Sequence, residues 1–179
     1  PSLGAALTIN TDFSATEVDD RQVNLTRFSL FFPEKRDFFL EDSEVFEFGG
    51  LTQNGRPFFS RSIGLSAAGQ PIDLDVGGRL TGTVGRFTVG ALAVRQAESA
   101  GLAARDLLVT RAYAGIGEQS TIGGIFTYGD PRSENRNYLG GVDLGATGLH
   151  VVEVAPGEDV DASDARAGGD VAELLEGVR

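Results

Sequence analysis

The sequence predicts an all-β protein, an antiparallel up-and-down meander that forms part of an outer-membrane β-barrel without closing it. Three observations favour this fold class. Glycine supplies 25 of the 179 residues, about twice the usual ~7%, and glycine disfavours helices. Runs of roughly ten residues alternate between apolar and polar positions, as strands do. The connectors between these runs are short at one end and longer at the other, which is typical of membrane barrels.

The first predicted strand is the run "AALTINTDFS" at 5–14. Leu7, Ile9 and Phe13 share one face of it, and polar side chains occupy the other. The polar stretch 16–28 then predicts a loop. Nine of the 12 phenylalanines fall between 28 and 59, so we treat 1–69 as the aromatic-rich first part of a barrel domain spanning 1–148.

The clearest hairpin lies at the start of the second part, residues 70–148. The pair Gly85-Arg86 separates two β-prone runs, and a two-residue turn that contains glycine is a strong hairpin signal. In the run before the turn, Leu80 and Val84 share one face, whereas Arg79 and Thr81 share the other. The run therefore predicts a strand with one apolar and one polar face.

Three further strands complete the predicted meander. The runs 106–116 and 121–130 flank the turn "GEQS", and a fifth run follows at 137–146. In the last run, Val142 and Leu144 lie opposite Asp143. The barrel hypothesis requires a set of side chains to point outward together. That set is Leu80, Val84, Ile122, Phe126 and Tyr128.

Strand length separates two interpretations of the meander. Strands average ~5–6 residues in soluble proteins, whereas a strand that crosses an outer membrane needs ~9–11. The predicted runs belong to the longer class. The connectors at 85–86 and 117–120 are short, and those at 97–105 and 131–136 are longer and polar. This pattern favours a membrane barrel, with a soluble β-sandwich as the alternative.

The stretch "SLFFPEKRDFFLE" at 29–41 concentrates aromatic residues around a polar step. Pro33 lacks the N–H that a central strand needs, and adjacent phenylalanines on a strand point to opposite faces. We therefore expect "PEKR" to turn between two aromatic strands at a membrane boundary, where aromatic side chains are favoured.

Arginines and carboxylates lie close together in sequence near this stretch. The arginines are Arg27, Arg36, Arg56 and Arg61. Charges on the lipid face of a barrel cost ~2–4 kcal/mol at mid-depth, so these residues belong to the interior or the rim. Either they form a ladder inside the barrel that orders an inward segment, or they form surface pairs of little energetic value.

The C-terminal part, residues 149–179, changes composition abruptly. It carries eight acidic and two basic residues and no aromatic residue. High acidity with low hydrophobicity predicts disorder. We therefore expect an acidic tail that is disordered or foreign to the barrel.

Composition also excludes several functions. The chain has no cysteine, hence no disulfide, thiolate metal site or cysteine nucleophile. Its net charge of −11 lacks the basic footprint of a nucleic-acid-binding protein. His150 and Lys35 are the only residues of their types, and neither lies in a catalytic or phosphate-binding motif. We expect no cofactor, no bound metal and no catalytic residue.

Three motifs together resemble a known bacterial family. They are "NLTRFSLFFPEKRDFFLE" at 24–41, "FEFG" at 46–49 and "PFFSRSIGL" at 57–65. They are similar to a domain-of-unknown-function family whose members carry a family-nine-like carbohydrate-binding module before a C-terminal outer-membrane β-barrel. The signature residues that carry the resemblance are Asn24, Arg27, Phe28, Phe31, Phe32, Pro33, Glu34, Lys35, Arg36, Phe38, Phe39, Phe58, Phe59 and Arg61.

The resemblance implies that this chain matches the start of the barrel part and lacks the upstream module. It implies an outer-membrane location, contact with outer-membrane lipid, and a non-catalytic role linked to surface carbohydrate binding or to transport. The sequence offers about six to eight candidate strands, whereas a barrel of this kind needs at least eight and usually has a longer chain, so we expect a fragment. The alternatives are a soluble β-sandwich binding module and, from its paired carboxylates, a carbohydrate-active hydrolase.

Overall fold

Seven antiparallel strands form one sheet in which each strand pairs with the next strand along the chain. The structure is a computed structural model, and it describes residues 2–12, 34–51, 56–66, 71–99, 103–116, 120–131, 137–146 and 149–156. The strands are β1 Ser2–Thr11, β2 Leu74–Val84, β3 Phe87–Gln96, β4 Arg105–Ile116, β5 Ser120–Tyr128, β6 Tyr138–Ala146 and β7 Leu149–Pro156. The sheet is not closed, since β1 and β7 form its two edges. The predicted all-β meander is confirmed.

The hairpin between β2 and β3 forms as the sequence predicts. Val84 pairs with Phe87 across the turn, and Gly85 has a φ of 64°. A side chain at that φ would be strained, so glycine is the residue that permits the two-residue turn. We call this end of the sheet, with the connections 85–86, 117–119 and 147–148, the turn rim. The opposite end, with the longer connections, is the loop rim.

Alternation along the strands gives the sheet two unlike faces. On β2, Arg79 is 6% and Thr81 3% exposed, whereas Leu80 on the opposite face is 41% exposed. We call the face that carries Arg79 the inner face and the face that carries Leu80 the outer face. The side chains predicted to point outward together all lie on the outer face, where Leu80, Val84, Ile122 and Phe126 are exposed and Tyr128 is half-buried. The predicted division of faces is therefore correct.

The long connection between β1 and β2 supplies the cover of the inner face. Its described parts, residues 34–51 and 56–66, are named the strap. The strap contains one helical turn, α1 Asp37–Leu40, and two 3₁₀ turns, Ser43–Phe46 and Ser60–Ser62. Within the described part of the chain, no helix has the length and hydropathy needed to cross a membrane.

The structure corrects the expected strands around "PEKR". Phe38 and Phe39 lie on α1 rather than on a strand, and Phe39 is buried against the inner face at 4% exposure. One helical turn can point both rings toward the same surface, which a strand cannot do. Phe39 is therefore buried and Phe38 half-buried against the inner face, and neither lies on an aromatic strand. Phe31, Phe32 and Pro33 lie outside the described residues.

The sheet also continues past residue 148, where the sequence analysis places the end of the barrel domain. Residues Leu149–Pro156 form β7 and pair with β6 along its length. The run "LHVVEV" is rich in β-branched residues, which favour strands. The sequence analysis assigned it to the tail because the residues that follow are strongly acidic. Residues 157–179 of the expected tail lie outside the description.

Candidate functional site

The strap and the inner face share one hydrophobic core. The strap contributes Phe39, Val45, Phe46, Phe48 and Ile63. The sheet contributes six buried side chains from four strands. They are Leu74, Leu92, Val94, Leu107, Val109 and Ile125. A helical turn of four residues is not stable alone, so this burial is what holds α1 in place.

Arg111 on β4 forms a buried polar contact between strap and sheet. Its terminal nitrogens donate to the two carboxylate oxygens of Asp143 on β6, at 2.6 and 2.9 Å. Its Nε donates to the backbone carbonyl of Glu47 at 3.1 Å, and the backbone N–H of Gly49 donates to Asp143 at 3.1 Å. One ion pair therefore joins two strands and fixes two points of the strap.

The Arg111 guanidinium also lies against aromatic rings. Its centre is 5.1 Å from the ring of Phe48 and 5.3 Å from the ring of Tyr113. Both distances lie within the range of cation–π attraction. A planar guanidinium offers five donors and two faces, so lysine cannot replace these contacts.

Arg79 on β2 holds the first turn of the strap. It donates to the carbonyl oxygens of Phe38 at 2.7 Å and Glu41 at 2.6 Å, and it pairs with the Glu41 carboxylate. The carbonyls at the end of a short helix have no partner within the helix, and Arg79 satisfies them. Beside it, the Thr81 hydroxyl donates to Asp42 at 2.5 Å.

A third cluster lies within the strap and joins its two described parts. Arg36 makes a bidentate contact with Glu34, with both distances at 2.7 Å. It also donates to the carbonyls of Ile63 at 2.6 Å and Ser60 at 2.8 Å, and it lies 4.3 Å from the centre of the Phe39 ring. The Ser60 hydroxyl donates to Glu34 at 2.8 Å.

This cluster perturbs the titration of Glu34. Burial disfavours the charged carboxylate, but the hydrogen bonds and charge of Arg36, with the Ser60 hydroxyl, outweigh burial and lower the pKa of Glu34 from its ordinary 4.5. Glu34 is therefore ionised at neutral pH and acts as the acceptor at the centre of the cluster.

Glycines on the inner face leave room for the strap side chains. A Cβ added at Gly90 would lie 2.8 Å from Val45 and 3.1 Å from the Phe46 ring. A Cβ at Gly141 would lie 2.8 Å from the Phe48 ring, and one at Gly77 would lie 3.2 Å from the Phe38 ring. Strands β2, β3 and β6 therefore each have a glycine in contact with a phenylalanine of the strap, and any larger residue at these positions would collide with the ring.

A cavity of about 350 Å³ remains between strap and sheet. Six phenylalanine rings line it, together with polar residues that include Glu34 and Arg79. Those two charged groups are already engaged, by Arg36 and by Glu41 respectively. Among the described residues, no group of three His, Cys, Asp or Glu side chains could hold a metal ion.

The structure brings together only part of the predicted signature. Glu34, Arg36 and Arg61 share one cluster, in which Arg61 lies 4.0 Å from Glu34. Phe39 is buried, Phe38, Phe58 and Phe59 are half-buried, and Phe58 meets Phe46 edge-on with centroids 5.8 Å apart. Lys35 is half-buried beside Glu34. Asn24, Arg27, Phe28, Phe31, Phe32 and Pro33 lie outside the described residues.

Of the three arginines of this set that the structure describes, two are buried, and the hypothesis that they form a ladder inside a barrel stays a prediction. Arg36 is 5% and Arg61 9% exposed, so neither belongs to a surface pair. Arg56 is exposed and donates only from Nε, to the Leu51 carbonyl at 3.1 Å. The series of buried arginines continues onto the sheet through Arg79 and Arg111, which the predicted signature did not include.

The residues that sequence reasoning missed are those contributed by the sheet. Arg79, Arg111 and Asp143 are charged residues within β-prone runs, all on the inner face of the sheet, and this placement was a usable signal. Their partners could not be inferred, because Glu41 and Glu47 lie 38 and 64 positions away from the arginines that they meet. Gln96, fully buried, was also missed. It accepts from the Gly64 N–H at 3.0 Å and donates to the Pro131 carbonyl at 3.2 Å.

Comparison with known proteins finds a match to one protein family. No curated protein and no solved structure matches the chain. Residues 4–79 match the family described as "Domain of unknown function (DUF5916)". The match covers β1, the strap and the first half of β2, and therefore includes Arg36 and Arg79. The motifs' resemblance to a domain-of-unknown-function family is thus supported over these residues.

Proposed function

We propose that the sheet is a section of the wall of an outer-membrane β-barrel, with its outer face toward lipid and the strap inside. The observation that carries the proposal is the composition of the outer face. Large apolar side chains on all seven strands are between 39% and 70% exposed there. They are Leu3, Leu7, Ile9, Val76, Leu80, Val84, Phe87, Ile116, Ile122, Phe126, Val142, Leu144 and Val151. Monomeric soluble proteins rarely expose so continuous an apolar surface.

The register of the strands arranges these side chains in rows. Leu80, Ala91, Thr110, Phe126 and Gly140 face one another across five successive strands. Further rows lie on either side, about 7 Å apart along each strand. Of the four rows between the rims, only one includes a charged side chain among the described residues, that of Glu153 on β7.

The height between the turn rim and the charges of the loop rim matches the apolar band of a membrane barrel. On β4, Ile116 lies at the turn rim and Asp106 at the loop rim, ten residues apart. That separation is about 34 Å along the strand. At the tilt usual for membrane barrels it corresponds to a height of about 25 Å, which is the height of the apolar band of such barrels.

Charges on the outer face are concentrated at the loop rim. Arg95 lies 3.6 Å from Asp75 and 3.0 Å from Asp106, with all three side chains about half exposed or more. A charge cluster at the end of an apolar band is the arrangement expected where a lipid bilayer gives way to water. Glu153, an exposed residue on the edge strand β7, departs from this pattern.

Under this proposal the protein is non-catalytic and its location is the outer membrane. The clustered arginines then hold the strap in place through hydrogen bonds to its backbone carbonyls. A link to surface carbohydrate or to transport rests on the family resemblance and would involve parts of the protein beyond the described sheet. In the alternative, a soluble β-sandwich, a second sheet would cover the outer face.

A lipid-quenching experiment tests the proposal. Residues 1–179 contain no cysteine, so with any cysteine elsewhere in the full-length protein replaced by serine, a fluorophore can be attached to Leu80→Cys on the outer face of β2 or to Thr83→Cys on its inner face. In the full-length protein reconstituted into vesicles, lipids with spin-labelled acyl chains should quench the label at 80 and leave the label at 83 unquenched. Equal quenching at both positions, or none at 80, would rule out a lipid-facing wall.

A further inference from the structure

The cavity between the strap and the sheet has the lining of a small-molecule site. Its volume is about 350 Å³, and such sites hold ~300–1,000 Å³ and are mostly apolar with a few polar groups at fixed places. We propose that this cavity binds a free amino acid with a large apolar side chain. Because the strap and the inner face form the cavity, binding there does not require the proposed membrane location of the sheet.

Phenylalanine rings form the apolar part of the lining. Three of the six rings belong to the buried core, whereas Phe38, Phe58 and Phe59 are half-buried and line the cavity. Phe58 meets Phe46 edge-on, with ring centroids 5.8 Å apart, and aromatic rings prefer such edge-on or offset contacts. An apolar side chain placed between these rings would remove their remaining surface from water, which is favourable.

Two side chains of opposite charge, Glu47 and Arg56, also line the cavity. Both are exposed, so they lie at its mouth. The other two charged groups of the lining, Glu34 and Arg79, already have partners of opposite charge. Within the part of the chain that the structure describes, by contrast, Glu47 and Arg56 form no ion pair, either with each other or with another residue.

One tight turn positions these two charged residues near each other. The Leu51 N–H donates to the Phe48 carbonyl at 3.1 Å, which closes a four-residue turn whose ends lie within about 7 Å. The two glycines between them have φ values of 59° and 61°, which glycine adopts without strain. Glu47 directly precedes this turn, and the Nε of Arg56 donates to the carbonyl of Leu51 at its end.

The Arg56 guanidinium is oriented to receive a carboxylate. Its Nε is held by the Leu51 carbonyl at 3.1 Å, whereas neither terminal nitrogen has a partner among the described residues. A guanidinium binds a carboxylate through two parallel N–H groups. The backbone of Glu47 is fixed as well, because its carbonyl accepts from Arg111 at 3.1 Å. Arg56 is therefore placed to bind the carboxylate of the ligand, and Glu47 its ammonium group.

Charge complementarity selects an amino acid over other small apolar molecules. An amino acid carries its ammonium and carboxylate groups on one carbon, directly beside the side chain. An apolar acid would engage only Arg56, and an apolar amine only Glu47. A neutral molecule would leave both without a partner of opposite charge. A ligand with both charges and an apolar side chain matches the mouth and the lining together.

Titration calorimetry with three ligands that share a phenyl group tests this proposal in the full-length protein. The ligands are L-phenylalanine, 3-phenylpropionate, which lacks the ammonium group, and 2-phenylethylamine, which lacks the carboxylate. We expect saturable binding of phenylalanine, with a Kd about tenfold or more below that of either analogue. The reason is that each analogue loses one charge-assisted contact, and the loss of such a contact weakens binding by about that factor.

Variants of the exposed lining residues locate the site. Arg56→Gln should raise the Kd of phenylalanine and 3-phenylpropionate about tenfold and leave that of 2-phenylethylamine unchanged. Glu47→Gln should weaken phenylalanine and 2-phenylethylamine and spare 3-phenylpropionate. Ser43→Trp, which places a large ring in the cavity lining, should abolish binding of all three. Glu44→Gln is the control, because Glu44 is exposed and lies outside the lining. Circular dichroism checks that each variant is folded.

Three results would overturn the proposal. The first is no saturable binding at millimolar phenylalanine. The second is an analogue that binds as tightly as phenylalanine, since the ligand would then need only one charge or none. The third is unchanged binding in both Arg56→Gln and Glu47→Gln, which would place the phenylalanine elsewhere in the protein. None of these results bears on the membrane wall, which the quenching of the label at residue 80 tests separately.

Discussion

At the scale of single residues, the inner face is held by charges that have no access to water. Arg111 and Asp143 are 5% and 8% exposed and satisfy each other's hydrogen bonds. The net contribution of such a pair to stability is small, because desolvation offsets attraction. Removal of one member is costly, because the other charge then remains buried without a partner.

Replacement of Arg111 by alanine should therefore lower the free energy of unfolding by about 3–5 kcal/mol. The matched control is Arg95→Ala, which breaks ion pairs about half exposed and should cost about 0–1 kcal/mol. Denaturant titration followed by circular dichroism measures both values. Equal losses in the two variants would show that burial of the Arg111 pair has no energetic consequence.

Glycines at the strap interface give a second prediction at this scale. Gly90→Ala forces a methyl group against Val45 and the Phe46 ring, and overpacking of this kind costs about 1–3 kcal/mol. Gly78→Ala on β2 meets no atom within 4 Å and should leave the free energy of unfolding nearly unchanged. Comparable stabilities for the two variants would contradict a close fit between strap and sheet.

At the scale of elements, the strap is the one segment whose conformation depends on the others. Its helical turn has four residues and its 3₁₀ turns have four and three. None of these is stable in isolation. Three groups of contacts fix the strap at successive points, namely those of the Arg36–Glu34 cluster, of Arg79 and of Arg111. The strap is therefore packed against the inner face along its length.

Acidification should loosen the strap through Glu34. The folded protein lowers the pKa of this carboxyl below its ordinary 4.5. The stabilisation is therefore fully present above the ordinary pKa and is lost as the pH falls through the lower, folded-state pKa. Measured between about pH 6 and pH 3, the free energy of unfolding of the wild type should fall toward that of Glu34→Gln.

The exposed residue Glu44 provides the control for this pH series. Glu44→Gln should retain the pH dependence of the wild type, because Glu34 is intact in it. If Glu34→Gln and the wild type differ by the same amount at every pH, the cluster does not depend on ionised Glu34.

At the scale of the whole molecule, the exposed face of the sheet differs from that of a soluble antiparallel sheet, whose exposed side chains are mostly polar. Buried arginines and the core lie on the inner face, and large apolar residues are exposed on the outer face. In a membrane wall, a charge on the outer face costs ~2–4 kcal/mol at the midplane and ~0–1 kcal/mol near the rims. In a water-exposed sheet no such depth dependence arises.

Arginine scanning along β4 should reveal this depth dependence. Thr110 lies in the central row and Ile116 at the turn rim. In the full-length protein, Thr110→Arg should reduce the fraction folded into lipid vesicles far more than Ile116→Arg, as judged by heat-modifiable electrophoretic mobility. Equal effects at the two positions would contradict a bilayer around the sheet.

Much of the sheet could be predicted from the sequence, because its determinants are local. Period-two alternation and the Gly85-Arg86 turn predicted β2 and β3 and assigned Arg79 and Asp143 to the face opposite the apolar side chains. Strand β7 was missed because the acidic composition of 149–179 outweighed a short β-branched run. The candidate site was predicted only in part, since Glu34, Arg36 and Phe39 belong to a recognisable motif whereas Arg111, Asp143 and Gln96 do not.

The sequence by itself determined six of the seven strands, their faces and the tight turn, since each depends on residues a few positions apart. Only the tertiary structure decided that Phe38 and Phe39 lie on a helical turn inside the protein, that Arg111 pairs with Asp143, and that glycines receive the strap aromatics. Arg111 and Asp143 are 32 positions apart, and the glycines lie 39 or more positions from the strap aromatics that they receive. No local pattern encodes them, because they form only when the folded sheet presents its inner face to the strap.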